Sequence, residues 1–253
     1  MSMIINVFVT NEASHSECLT LLHGFNLPFS LEIHTVAQHH SGALNYDQGR
    51  FFYLGEDGLK INFDWISQWR YHKKANYSLK SEPLAKAVGR AKNPRPKVID
   101  LTCGTGKDSL LLLIFGCEVR AYERNPVVYL LLKDALRLAS ESDESMALVL
   151  KDSFHLEFGA FSKENFNCAQ WTLYYDPMYP KVPEKRKALP RKEMVVFHEV
   201  VGVDEDSYSF MEELFNSGSK RVVLKRPIKE EVFKSPSASF KGKSTRYDMY
   251  IIS

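Results

Sequence analysis

Short apolar runs, broken by glycine, proline and polar clusters, recur along the whole chain, and their spacing divides it in two. Up to about residue 70 the pattern predicts a small α/β unit. I-I-N-V-F-V (4–9) and L-E-I-H-T-V (31–36) read as strands, S-E-C-L-T-L-L-H-G-F (16–25) as a helix closed by Gly24, and residues 50–63 as a hairpin around G-E-D-G. Residues 64–91 read as helical with a break near Asn76, and a capping box with Ser81 and Pro83 marks a helix start. N-P-R-P (93–96) is a linker.

From Lys97 onward strand and helix patterns alternate, which predicts a mostly parallel sheet. V-I-D, V-R-A-Y-E, A-L-V-L-K-D and W-T-L-Y-Y-D read as buried strands ending at Asp100, Glu123, Asp152 and Asp176. Residues 108–116, 125–139, 191–202 and 207–215 read as helices, 221–226 and 247–252 as late strands with the last antiparallel, and 235–245 as a flexible basic loop. The expected organisation is a small acidic unit over 1–70 and a doubly wound domain over 71–253. Such folds bind ligands where the carboxyl ends of the strands meet one edge of the sheet.

The first acid leads into D-L-T-C-G-T-G-K-D (100–108). Gly104 and Gly106 permit a tight strand-to-helix turn, and the helix start offers unpaired N–H groups to an anion. As G-x-G-x-x-G the loop is incomplete, since Ser109 holds the third position; as a P-loop it fails, since Lys107 is followed by Asp108. D-x-x-x-G-x-G is the pattern with which S-adenosylmethionine (SAM) sites hold the amino-acid end of the cofactor; together with the family resemblance given below it leads to the expectation of a class I SAM-methyltransferase Rossmann-like fold of about seven strands. Glu123, at the second strand end, suits the ribose hydroxyls; Asp152, with Ser153 beside it, suits the adenine amino group.

The fourth strand opens into D-P-M-Y-P (176–180). Pro177 holds Asp176 extended and removes a backbone donor. The Asp176 carboxylate can then accept the N–H bonds of an exocyclic amine, and Tyr179 offers an aromatic face to an unpaired base. The motif is close to the D-P-P-Y of amino methyltransferases.

Composition adds a charge asymmetry. The net charge is only +2, yet residues 1–69 carry a net −5, 181–192 a net +5 and 220–246 a net +7. Lys181, Lys185, Arg186, Lys187, Arg191 and Lys192 follow the proposed amine site, and Lys225, Arg226, Lys241, Lys243 and Arg246 lie in the basic tail; both segments suit a polyanion. No apolar run reaches the roughly 18 residues of a membrane span. Four cysteines without C-x-x-C spacing fit a reducing cytoplasm. His198-Glu199 lacks the second histidine of a zinc motif, and Asp204-x-Asp206 lacks the rest of a calcium loop, so no metal is expected.

Three segments together resemble the RsmJ family, bacterial 16S rRNA guanine-N2 methyltransferases: V-I-D-L-T-C-G-T-G-K-D-S-L-L-L-L-I-F-G-C (98–117), Y-E-R-N-P-V-V-Y-L-L-L-K-D-A-L (122–136) and D-P-M-Y-P-x(6)-K-A-L-P-R-K-E-M (176–194). R-V-V-L-K-R-P (221–227) and G-K-S-T-R-Y-D-M-Y (242–250) are similar too, so the likeness spans roughly residues 78–252. Lys107 stands where the family usually has arginine, and T-C-G-T-G replaces T-A-G-L-G. The resemblance implies SAM contacts at Lys107-Asp108, Glu123-Arg124, Asp152-Ser153-Phe154 and Asp176, and methyl transfer to a guanosine N2 near the 3′ end of small-subunit rRNA, free or in the assembled subunit. Rival readings are an NAD-dependent oxidoreductase on the same Gly loop, a non-catalytic RNA-binding module, and a methyltransferase acting on DNA adenine or protein glutamine. Replacing Lys185, Arg186 and Lys187 together is expected to weaken RNA binding and flatten its dependence on salt. An unchanged slope in filter-binding titrations would remove this loop from the RNA interface.

Overall fold

The computed structural model describes residues 3–90, 92–177, 200, 201 and 207–252. It divides into two compact units, one of residues 1–64, 125–139 and 182–202, the other of 65–124, 140–181 and 203–253. Met178, Tyr179, Lys181, Lys185, Arg186, Lys187, Arg191 and Lys192 lie outside the described residues, as do His198-Glu199, Asp204-x-Asp206 and most of the helix expected over 191–202.

The first unit holds a sheet of order β2-β1-β3-β4-β5: β1 (Ile4–Val9), β2 (Ser30–Thr35), β3 (Ala43–Asp47), β4 (Arg50–Leu54) and β5 (Lys60–Ile61). Helix α1 (Glu12–His23) begins where Asn11 accepts the Ser14 amide at 2.8 Å. The expected hairpin around G-E-D-G is present as β4–β5, but β4 also pairs with β3 across a tight turn at Gln48-Gly49, both at positive φ. That strand, A-L-N-Y-D, was not anticipated because buried Asn45 interrupts its apolar pattern; its amide nitrogen donates to the His40 and Ala43 carbonyls. Asp134, on α5 (Pro126–Ser142), accepts the Phe51 amide at 3.0 Å and pairs with Arg137, which donates to the Gly49 carbonyl at 2.6 Å.

The second unit is built on a seven-stranded sheet of order β11-β12-β10-β9-β6-β7-β8, as the class I fold requires. Its strands are β6 (Lys97–Asp100), β7 (Glu118–Glu123), β8 (Phe154–Phe158), β9 (Trp171–Tyr175), β10 (Arg221–Pro227), β11 (Ala238–Lys241) and β12 (Thr245–Ile251). β8, β7, β6, β9 and β10 are parallel, while β12 runs antiparallel to both β10 and β11. The order reverses between β6 and β9, which is where a doubly wound sheet opens a crevice. One face buries Ile99, Leu101, Leu173, Tyr175, Val222 and Leu224 with Met211 and Leu214 of α7 (Ser207–Phe215). The remaining helices are α2 (Trp65–Lys74), α3 (Pro83–Ala87), α4 (Lys107–Ile114) and α6 (Glu144–Ser153).

Three expectations are corrected. Residues 147–152 are not a strand but the body of α6: Asp143 caps the helix by accepting the Met146 amide at 3.0 Å, and Met146 and Leu150, four apart, bury one face while Leu148 is 56% exposed. The third strand is the next segment, β8. The basic stretch 235–245 contains β11, paired with β12, where a flexible loop was expected. Helix α3 is capped at Glu82 without a side-chain bond, so the expected capping box is not formed.

Two packing arrangements fix the sheet and its first loop. Trp65, at the start of α2, is buried and donates its indole N–H to the Thr105 carbonyl at 3.0 Å. A Cβ on Gly106, whose φ is +74°, would lie 2.1 Å from the Trp65 ring. At the other end of the sheet buried Arg246 grips buried Asp248 (2.9 and 3.0 Å), which also accepts the Ser239 hydroxyl at 2.6 Å. Gly106→Ala is expected to cost at least about 2 kcal/mol, because the left-handed backbone and the indole both oppose a methyl group. Asp248→Ala strands a buried guanidinium and should cost about 3–5 kcal/mol. Urea unfolding checks both, and parent-like stability in either variant would overturn its account.

Candidate functional site

Asp100 ends β6 with its side chain buried. It accepts the Ser109 hydroxyl at 2.6 Å and the Thr102 amide at 3.2 Å, so its carboxylate ties both arms of the 101–109 loop to the sheet. Burial raises its carboxyl to about 7, opposed by the Ser109 hydroxyl and the Thr102 amide and reinforced by Asp108 and Asp176. Glu123 ends β7, also buried, and accepts the Gly104 amide at 2.9 Å. Both acids thus fix the Gly loop, and Gly104 and Gly106 take positive φ there. Cys103 is buried in the loop, 3.9 Å from Ser109 Oγ, and burial pushes its thiol well up, which makes it a packing residue.

Asp176 follows β9, and its amide donates to Thr102 Oγ1 at 3.0 Å, which joins the amine motif directly to the Gly loop. Its Oδ2 lies 2.8 Å from Lys225 Nζ. The same ammonium lies 2.7 Å from Asp108 Oδ2, which also accepts the Tyr174 hydroxyl at 2.5 Å. Burial raises the Asp176 carboxyl above the ordinary range; Lys225 pulls it back and Asp108 adds to the rise. Burial disfavours the Lys225 charge, but Asp176 and Asp108 outweigh it and hold the ammonium above the usual lysine value. Burial and Asp108 likewise push up Tyr174 and Tyr247, the latter to about 12.

The structure therefore gathers Asp100, Gly104, Gly106, Asp108, Glu123 and Asp176 at one sheet edge. Lys107 opens α4 and Arg124 follows β7, both exposed, and Pro177 is buried behind Asp176. Asp152, Ser153 and Phe154 are not brought there. They sit where α6 enters β8, level with Glu118 at the amino ends of the strands, and Arg95 donates to the Asp152 carbonyl and the Ser153 hydroxyl. Phe154 packs edge-on against Trp65. The acid ladder thus has three rungs, because the fourth acid belongs to a helix.

The basic tail divides as well. Lys241 and Lys243 are exposed, as an RNA contact requires. Arg226 is buried and pairs with Glu230 at 3.1 Å, Arg246 is held by Asp248, and Lys225 belongs to the carboxylate cluster, so none of these three is presented to a phosphate. Thr102, Tyr174 and Trp65 were not singled out from sequence, and Ser109 stood out only as the residue that breaks the dinucleotide fingerprint. Its bond to Asp100 was not foreseen, and the other three act through non-local contacts.

Helix α4 starts at Gly106 with no side-chain cap, so its first amides suit a carboxylate. With Glu123 one strand away, this suits a cofactor bearing an amino-acid end and a ribose. Among the described residues no group of three or more His, Cys, Asp or Glu is placed to hold a metal, and no helix is long and apolar enough to cross a membrane.

Comparison with known proteins agrees with this geometry. Residues 32–252 match the family described as "Putative SAM-dependent methyltransferase". Ribosomal RNA small subunit methyltransferase J of Bdellovibrio bacteriovorus is 40% identical over 197 residues, 77% of this chain and 74% of that one. Its counterpart from Pseudoalteromonas translucida is 33% identical over 247 residues, 95% and 96% of the two chains. The crystal structure of a SAM-dependent methyltransferase from Neisseria gonorrhoeae matches with a TM-score of 0.68 at 26% identity, covering 98% of this chain and 96% of that one. With a family model over most of its length and relatives above 30% identity, the chain belongs to the SAM-dependent methyltransferase family of the ribosomal RNA small subunit methyltransferases J.

Proposed function

We propose that this enzyme transfers the methyl group of SAM to the exocyclic N2 amine of a guanosine in small-subunit rRNA. The observation that carries the reading is Asp176, placed beside the Gly loop at the carboxyl edge of the sheet and tied to it through Thr102. Relatives at 33–40% identity are named for small-subunit rRNA, which supports the substrate class. The N2 position rests on the sequence resemblance.

Bound at the Gly loop, the cofactor would supply an electrophilic methyl group on a sulfonium. Its amino-acid end would be held by the first amides of α4 with Lys107 and Asp108, and its ribose by Glu123 with Arg124 alongside. Asp176 accepts the amine N–H bonds, which aims the nitrogen lone pair; an aromatic amine is a weak base already, so orientation and electrostatics do most of the work. Pro177 holds the Asp176 backbone extended, and Tyr179 would stack on the base. Lys181, Lys185, Arg186, Lys187, Arg191, Lys192, Lys241 and Lys243 would neutralise phosphates.

Two measurements test this. Labelled SAM and small subunits from a strain lacking the enzyme should yield N2-methylguanosine on nucleoside analysis, and its absence would overturn the specific substrate. Asp176→Ala should bind S-adenosylhomocysteine nearly as the parent does in calorimetry while turnover falls on the order of 10²–10³-fold. Near-normal turnover would remove Asp176 from the reaction.

A further inference from the structure

We propose that Lys225 is a positioning residue for methyl transfer: its ammonium, clamped between Asp108 and Asp176, keeps the Asp176 carboxylate ionised and holds it still to receive the substrate amine. This rests on the proposed role of Asp176 and adds to it a group that sequence patterning assigned to RNA.

The geometry is specific. Lys225 Nζ lies 2.7 Å from Asp108 Oδ2 and 2.8 Å from Asp176 Oδ2, and the Tyr174 hydroxyl donates to the same Asp108 oxygen. Among the described residues the Asp176 side-chain bond runs through Oδ2, which leaves Oδ1 for a substrate N–H. Asp176 is buried beside a second carboxylate, so once the bridging cation is removed it would retain its proton to higher pH. A protonated Asp176 would present a donor where the amine needs an acceptor. Lys225 is thus suited to a carboxylate that accepts hydrogen bonds rather than one that acts as a strong base.

The charged and titratable groups around Asp176 come from every neighbouring strand and from α4. Among the described residues they are Lys225 on β10, Asp108 on α4, Asp100 at the end of β6, Tyr174 on β9 and Tyr247 on β12. Lys225 is the cation of this set. Burial and Asp108 drive the Asp176 carboxyl up, and among the described residues Lys225 opposes them.

The test compares the parent with Lys225→Met, Lys225→Gln and Lys225→Arg. Carboxyl ¹³C titration of the ligand-free proteins should show Asp176 keeping its proton to a higher pH in the Met and Gln variants, with Arg close to the parent. Removing the cation leaves burial and Asp108 to raise the Asp176 carboxyl unopposed by Lys225, so the acid limb of kcat should move to higher pH. In Met and Gln, kcat should be tenfold or more below the parent near neutrality and recover as pH rises; KM for the small subunit should stay within about twofold. An unmoved titration, a loss of kcat equal at all pH values, or a raised KM with a flattened salt slope would each overturn the proposal. If Lys225→Met fails to fold, Lys225→Gln carries the comparison. Should the parent produce no N2-methylguanosine, the substrate reading fails, while the carboxyl titration still decides what Lys225 does to Asp176.

Discussion

A single buried carboxylate organises the site. Asp100 sits buried at the end of the central strand β6, and its charge is supported by the Ser109 hydroxyl and the Thr102 amide. Those two bonds fix both arms of the Gly loop. Thr102, once fixed, receives the Asp176 amide through its own hydroxyl, so the end of β9 inherits its position from the end of β6. Burying such a group is unfavourable on its own, which is why its carboxyl is raised to about 7. The stability given up there is exchanged for a loop whose cofactor-facing and substrate-facing sides cannot drift apart.

Charge in this second unit is sorted by whether it has a fixed partner. Lys225, Arg226 and Arg246 look alike in sequence to Lys241 and Lys243, yet the first three are consumed by Asp108, Asp176, Glu230 and Asp248. Each sits on β10 or β12 and is largely withdrawn from solvent, where desolvation favours pairing a cation with a carboxylate. The exposed lysines stand on β11 and the turn after it. A net charge counted along the tail therefore overstates what an RNA can meet.

Much of the fold was legible because its signals are local. The strand ends at Asp100, Glu123 and Asp176, the Gly loop and the antiparallel last strand all follow from short apolar runs and glycines that the structure reproduces. Residues 147–152 misled because A-L-V-L is apolar without a break; the deciding feature was Asp143, four residues upstream, capping a helix whose buried positions are Met146 and Leu150. The unexpected strands β3 and β11 carry polar residues that make sense only against their partners, Asn45 with the His40 segment and Ser239 with Asp248. Trp65, Thr102 and Tyr174 were invisible for the same reason: each matters through a bond to a residue far away in sequence.

The placement of Lys225 shows how sheet register can set chemistry more tightly than a loop can. β9 and β10 are parallel and in register through Tyr175 and Leu224, so the next positions, Asp176 and Lys225, are neighbours across the strands and project to the same side. Lys225 is in turn paired across from Tyr247 on β12. A one-residue slip of β10 would carry Lys225 to the opposite face and put Leu224 or Arg226 beside two carboxylates, while moving the apolar side chains that pack against α7 out of the core. The same hydrophobic alternation that seats Val222 and Leu224 therefore also fixes where the ammonium stands. Asp108 comes from α4, whose start is set by Gly106 under Trp65, so the Asp108–Lys225–Asp176 bridge closes only when sheet register and Gly loop are both correct. An ion pair that needs two independent parts of the fold to agree is a geometric constraint on the Asp176 carboxylate, which is what the proposed orientation of a weakly basic amine demands.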